Sequence, residues 1–152
     1  MRYKLIALGS DHAGFHLKEE IKRHLEDRGI QYKDFGVYSE ERANYAEYGE
    51  KVACAVASGE CERGILVCGT GIGISIAANK VKGIRAVVCS DCYSAIMSRR
   101  HNDANILALG GRVVGVGLAM TIVDAWLDEE FEGGRHKERV DYIMEIEERN
   151  RS

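Results

Sequence analysis

Residues 64–73 read Gly-Ile-Leu-Val-Cys-Gly-Thr-Gly-Ile-Gly: an apolar run that stops at Cys68, glycines at 69, 71 and 73, and then a stretch of helical character. A short apolar run, a glycine turn and a helix make up a strand-to-helix junction. Such a turn lets several backbone N–H groups converge on one anionic point, with the positive end of the helix behind them. Cys68 stands at the lip of that cup. A helix N-terminus favours thiolate over thiol, so the pattern sets a base beside an oxyanion hole, the pairing that proton abstraction next to a carbonyl requires.

The same grammar extends in both directions. Apolar runs at Lys4 to Gly9, Ile30 to Gly36, Gly64 to Cys68, Ile84 to Cys89 and Ile106 to Gly110 each read as a short buried strand. Between them lie helical periods: Leu17, Ile21 and Leu25; Tyr45, Tyr48, Val52 and Val56; Tyr93, Ile96 and Met97; Leu118, Ile122 and Trp126. Continuous apolar strands alternating with amphipathic helices imply an α/β fold, a parallel sheet covered on both faces. Ligands in such sheets bind beyond the carboxyl ends of the strands. Asp11 and His12, Cys68 with its turn, Ser90 and Asp91, and Gly111 and Arg112 all follow strands directly. After Trp126 comes an acidic stretch, then Gly133-Gly134 and a charged final helix whose Val140, Ile143 and Met144 form a narrow stripe, fit to pack on its own subunit or on a partner.

Composition narrows the function classes. At 152 residues the chain reads as one domain, 1–152, long enough to bury a core unaided. A net charge of −3 and the lack of a basic stripe argue against nucleic acid as a partner. No apolar stretch approaches a membrane span, and the segment from Met1 into the run at Tyr3 to Gly9 reads as strand, not signal. The expectation is a soluble cytoplasmic protein without a membrane role. Five cysteines, at 54, 61, 68, 89 and 92, form an odd set that suits a reducing compartment. With no proline at all, glycine does the punctuation.

Each candidate has a rival reading. Gly69, Gly71 and Gly73 give G-x-G-x-G, whereas the dinucleotide fingerprint is G-x-G-x-x-G with an acidic residue about 20 positions on, where Asp91 stands. Alone, Cys68 could equally be an inert buried thiol. Cys89 and Cys92 form CSDC at a strand-to-helix junction, the place of a thioredoxin-like pair, so a thiol oxidoreductase is the alternative of another class. Cys54, Cys61 and Cys68 are spaced by seven and lack the close pair of a structural zinc site. His101, at a helix end, is either a dipole-stabilised cation or a general acid, and Asp11-His12 carries the same ambiguity. Arg135 and Arg139, four apart, share a helix face that either grips a phosphate or is simply solvated.

Taken together, GSDHAGFHLK at 9–18, CGTGIGISIAANK at 68–80, GIRAVV at 83–88, SRRHNDANILALGGRVVG at 98–115 and GRHKERV at 134–140 resemble the type B ribose-5-phosphate isomerase family, which includes galactose- and allose-6-phosphate isomerases. The resemblance spans nearly the whole chain. It implies a three-layer α/β/α Rossmann-like sandwich with a five-stranded parallel sheet in the order 2-1-3-5-4 and a C-terminal helix. It further implies a homodimer, with a tetramer as the larger option, whose active sites draw residues from both subunits and bring Arg135 and Arg139 to the neighbour's pocket. By the family's pattern Cys68 moves the proton between C1 and C2 of an open-chain sugar phosphate, while Thr70 and the amides of Gly69, Thr70, Gly71, Ile72 and Gly73 hold the enediolate. Relatives without this cysteine carry a glutamate at the place of Ile74. His101, with Asp11, would open the furanose ring; Asn102 would meet sugar oxygens; Tyr45 would border the sugar; and His12, Arg112, Arg135 and Arg139 would hold phosphate. Ribose 5-phosphate and ribulose 5-phosphate are the implied substrate pair, allose 6-phosphate or galactose 6-phosphate the alternatives, and no metal or cofactor is implied. The family's Asp-Tyr-Pro near 44–46 and Pro near 116 are Asn44-Tyr45-Ala46 and Val116 here, which would loosen two turns and bears on substrate preference more than on reaction type.

Overall fold

Five strands, β1 (Ile6–Ser10), β2 (Tyr32–Asp34), β3 (Arg63–Cys68), β4 (Ala86–Val88) and β5 (Ile106–Gly110), form one wholly parallel sheet in the order β2-β1-β3-β5-β4. This is the order implied by the resemblance. The computed structural model describes residues 5–151; Tyr3 and Lys4, where the first strand was expected to begin, lie outside them. Helices α1 (Phe15–Asp27), α2 (Tyr45–Ala57), α3 (Ile72–Ala78), α4 (Cys92–Asn102) and α5 (Val116–Leu127) alternate with the strands, and α6 (Arg135–Arg149) follows.

Strand pleating sorts the core into two layers. On β3, Ile65 and Val67 join residues of α1, α4 and α5, whereas Leu66 and Cys68 join those of α2 and α3. The inner strands β1, β3 and β5 are buried at every position. The outer two are not: β2 and β4 are short and partly open, because an edge strand has a neighbour on one side only, and expecting five equally buried strands overlooked this. All five cysteines are free thiols. Among the described residues no helix is long and apolar enough to cross a membrane.

One helix, α4, turns a different face inward from the one its large apolar residues suggest, and α5 buries the expected Ile122 and Trp126 but not Leu118. Along α4, Tyr93 is 73% exposed while Ala95, Ser98 and Arg99 are buried. Small side chains let α4 approach α5, and the buried Arg99 guanidinium donates to the Ala104 carbonyl at 2.6 Å and lies 6.0 Å from the Trp126 ring. Along α5, Leu118 is exposed, and Ala119, Ile122, Val123, Trp126 and Leu127 form the buried stripe. Helix α6 packs on its own chain: Val140 is buried, Glu147 accepts the Gly83 N–H at 3.1 Å, and Arg85 reaches the Met144 sulfur at 3.4 Å.

An ion cluster ties α1 to the end of β2. Lys18 is wholly buried, and its Nζ donates to Asp34 Oδ1 and to the Val37 carbonyl, both at 2.6 Å. Lys22 adds a bond to Asp34 Oδ2 at 3.0 Å, and the Gly36 N–H one to Oδ1 at 2.9 Å. Burial pushes the Lys18 ammonium below the usual lysine range. Burial also opposes charge on Asp34, but the bonds from Lys18, Gly36 and Lys22 outweigh it and hold the carboxyl below its ordinary range. The cluster anchors the chain entering residues 37–44, the segment that delivers Asn44 and Tyr45.

Asp34→Asn strands Lys18 in the interior, and urea unfolding at pH 7 should register a loss of about 3–5 kcal/mol. Because the folded carboxyl titrates below its unfolded value of about 3.9, its stabilisation is complete above that value and fades as pH falls through the lower folded one. Wild type should therefore lose stability over that acid window more steeply than Asp34→Asn; parallel curves would remove the carboxylate from the anchor.

Candidate functional site

β1 and β3 lie side by side, and the helices that follow them depart to opposite faces, α1 over the Val67 side and α3 over the Cys68 side. Divergence of this kind opens a crevice at the carboxyl edge. The turn after β1 lies flat on β3: a Cβ on Gly14 would sit 2.3 Å from the Val67 carbonyl oxygen, so only glycine fits. Asp11 is buried, and its Oδ1 accepts the Gly14 N–H at 3.0 Å. His12 Nδ1 accepts the Ala43 N–H at 3.1 Å. That bond occupies the Nδ1 lone pair, so neutral His12 carries its proton on Nε2, free to donate.

The turn after β3 is packed as tightly. Gly71 adopts φ +81°, and a Cβ there would come within 2.9 Å of the Leu109 carbonyl carbon. A Cβ on Gly73 would stand 2.5 Å from the Tyr45 ring, and one on Gly69 would stand 3.6 Å from Arg112 Nη1. Tyr45 and Arg112 therefore flank the cup. Cys68 is 4% exposed, and its Sγ accepts the Gly71 N–H at 3.2 Å, a contact that strengthens when sulfur bears charge. Thr70 Oγ1 accepts the Ile72 N–H at 3.2 Å. Two amides of the cup are thus engaged by side chains of the turn itself, a detail glycine spacing does not reveal. The ladder of α3 begins with the Ser75 N–H bonded to the Gly71 carbonyl at 3.3 Å, so the Gly73 and Ile74 N–H groups lie outside it.

His101, Asn102, Arg135 and Arg139 stand elsewhere. With His136 they line a cleft of about 370 Å³ where the end of α4 meets the start of α6. α4 starts beyond the carboxyl end of β4 and runs back about 16 Å, at 1.5 Å per residue, to the amino edge of the sheet. There Asn105 accepts the Gly64 N–H at 3.0 Å, four residues before Cys68 along β3 and roughly 13 Å away. One chain therefore holds two clusters at opposite edges. Asp11, His12, Tyr45, Cys68, the 69–73 turn and Arg112 form the first, and His101, Asn102, Arg135 and Arg139 the second.

Two members of the second cluster escaped attention in the sequence. The His136 and His101 rings stack at 4.0 Å with 8° between planes, and Glu132 Oε1 lies 3.4 Å from His136 Nε2 and 3.8 Å from His101 Nε2. The GRH string after the double glycine was the available signal. Among the described residues these three bring potential metal-ligand atoms within 4.8 Å of one another. Stacked rings, however, cannot both direct an in-plane lone pair at one ion, and Arg135 and Arg139 beside them repel a cation.

The rival sites are spoken for. Burial pushes the Cys89 thiol up to about 11, opposite to the need of a redox nucleophile. Asp91 caps α4, accepting the Ser94 N–H at 2.7 Å. At 44–46, where the family's proline is missing, Asn44 caps α2 by accepting the Ala46 N–H at 3.0 Å, a donor that proline would lack.

The family described as Ribose/Galactose Isomerase matches residues 6–143. The chain is 60% identical over 146 residues to ribose-5-phosphate isomerase B of Escherichia coli strain K12, covering 96% of this chain and 98% of that one. It is 45% identical over 139 residues to a D-erythrulose-4-phosphate isomerase of Pectobacterium atrosepticum, covering 91% of each. The solved structure of Clostridium thermocellum ribose-5-phosphate isomerase B superposes with a TM-score of 0.96 at 59% identity, covering 97% of this chain and all of that one. The chain belongs to the ribose/galactose isomerase family and is an isomerase.

The backbone bond to His12 fixes its tautomer. ¹⁵N-correlated NMR at neutral pH should find His12 with an unprotonated Nδ1 and a protonated Nε2; the reverse assignment would remove it as an Nε2 donor to an anion.

Proposed function

We propose that this isomerase interconverts ribose 5-phosphate and ribulose 5-phosphate by a proton transfer through a cis-enediolate, with Cys68 as the base. The observation that carries the reading is the Cys68 thiol at the end of β3, whose Sγ accepts the Gly71 N–H in a turn that leaves the Gly73 and Ile74 N–H groups outside the helix ladder. Ile74 is apolar and fully buried, so no carboxylate competes for the role. The relatives named for ribose 5-phosphate support the pentose, and the one named for a four-carbon ketose phosphate supports the same reaction type on a neighbouring chain length.

The chemistry follows from charge. Removing a hydrogen beside a carbonyl builds negative charge on oxygen, and one well-placed donor in a preorganised hole contributes about 3–4 kcal/mol to the barrier. The thiolate takes the C2 proton of the open aldose, charge builds on O1 beside the 69–73 turn and Thr70, the O2 hydroxyl proton passes to O1, and the same sulfur returns the first proton to C1 as the C2 carbonyl forms. Arg135 and Arg139 supply paired charge-assisted bonds to phosphate, with the His12 Nε2–H and Arg112 approaching from the other side. Asn102 and Tyr45 border the sugar, and His101, with Asp11, opens the furanose ring.

These groups meet only if a second copy brings its arginine cluster over the first copy's cup. We therefore assign the active form as a homodimer with shared sites. Exposed Ile72 and Ile76 on α3 beside the cup, and exposed Tyr142, Ile143 and Ile146 on α6, offer apolar surface for that contact.

Cys68→Ala should lower kcat by about 10²–10⁴-fold while thermal stabilisation by ribose 5-phosphate persists; full turnover would discharge Cys68 as the base. Comparison of kcat/KM for ribose, allose and galactose phosphates should favour the pentose, and a hexose preference would reassign the substrate within the family.

A further inference from the structure

We propose that His136 is a positioning residue for His101, its ring forming the less exposed half of a stacked histidine pair that orients the more exposed His101 ring for proton transfer. The inference rests on the isomerase reading above, with His101 as the ring-opening group. His136 comes from the first turn of α6 and His101 from the last turn of α4, so two helices must be docked for the rings to lie 4.0 Å apart and within 8° of parallel. The His136 ring is 13% exposed and the His101 ring 39%. Gly133 and Gly134, both with positive φ, form the turn that leads α6 in, and the His136 N–H donates to the Gly133 carbonyl at 3.0 Å.

The surroundings discriminate between the rings. His136 faces His101 from α4, Arg135 and Arg139 from its own helix, and Glu132 from the connecting loop; Arg100, one residue before His101, is taken up by Glu129 at 2.7 Å. Burial first, then His101 and Arg135, hold His136 below the ordinary histidine range against the pull of Glu132. Two imidazolium charges face to face at this separation repel, so a proton on one ring opposes a second on the other. Glu132, near both Nε2 atoms, balances that one charge.

A pair of this kind suits ring opening. The proton on His101 passes to the furanose ring oxygen as the bond from C1 to that oxygen breaks. The anomeric oxygen becomes the C1 carbonyl, and its hydroxyl proton returns to the pair, so no net proton is consumed. Stacking on His136 fixes the plane from which His101 donates, and the arginines of the same α6 turn grip the phosphate, so ring opening and phosphate binding share one rigid element.

Ring opening can be separated from proton transfer, because ribulose 5-phosphate, with its C5 hydroxyl phosphorylated, is open-chain. His136→Ala, made in the full chain, should lower kcat on ribose 5-phosphate at least about tenfold, while its exchange of the C1 hydrogen of ribulose 5-phosphate in D₂O stays within about threefold of wild type. His136→Phe, which keeps the stacked face, should restore kcat to within about threefold of wild type. In NMR titrations of otherwise wild-type protein, His136 should take up its proton at higher pH once His101→Asn removes the facing charge. Unchanged kcat in His136→Ala, an equal fall of turnover and exchange, Phe no better than Ala, or a His136 titration indifferent to residue 101 would each overturn the proposal. Wild-type protein exchanging no hydrogen of ribulose 5-phosphate would instead overturn the isomerase reading and leave the titration arm standing.

Discussion

A helix that follows a strand of a parallel sheet must run back to the opposite edge before the next strand can start, and this constraint governs the chemistry of the whole chain. Turns directly after strands gather at the carboxyl edge, which is where Asp11, Cys68 and Arg112 stand. Residues at helix ends are delivered to the other edge. His101 and Asn102 close α4 there, and α6 begins beside them with Arg135 and Arg139. Cys68 and the Arg135–Arg139 pair, the proposed base and phosphate grip, are kept apart by the topology that creates each. In the proposed homodimer a second copy closes this separation without any change of fold.

Within the cup, crowding does the work of precision. Backbone meets backbone at Gly14 against Val67 and at Gly71 against Leu109, and ring meets backbone at Gly73 against Tyr45. Each contact excludes a methyl group, so the turn cannot drift from the sulfur it surrounds. The Cys68 thiol is correspondingly dry, and its Gly71 partner is part of the same turn. A low-dielectric, prearranged site of this kind makes each donor count for more than it would in water. The buried Lys18–Asp34 pair extends this rigidity to the segment that leads to Tyr45.

Much of this was legible from residue types, and the unread portion has identifiable causes. Strand positions, the parallel sheet and the residues at its carboxyl edge followed from apolar runs that end in glycine, since the period and the turn residues directly encode local geometry. The inward face of α4 was misjudged because Tyr93, Ile96 and Met97 outweigh alanine and serine in any hydrophobic count, while the fold needed small residues there and a satisfied Arg99. His136 and Glu132 stayed hidden because their meaning arises only where α6 docks on α4, a tertiary contact with no local period. Ala46 was read as a loss relative to proline, although its N–H, which proline lacks, is the donor that the Asn44 side chain accepts to cap α2. The resemblance supplied the strand order and the residue roles, which patterning alone did not.

The central claim, a site divided between two copies, is tested most directly by complementation. Cys68→Ala spoils the cup alone, and Arg135→Ala with Arg139→Ala spoils the phosphate grip alone, so neither homodimer turns over ribose 5-phosphate. After the two are mixed equally, unfolded and refolded together, half of the dimers are mixed, and each of these holds one intact site and one doubly damaged site. The account predicts recovery to about a quarter of wild-type activity, as random pairing of two-fold dimers requires; a refolded mixture no more active than its two parents would contradict it.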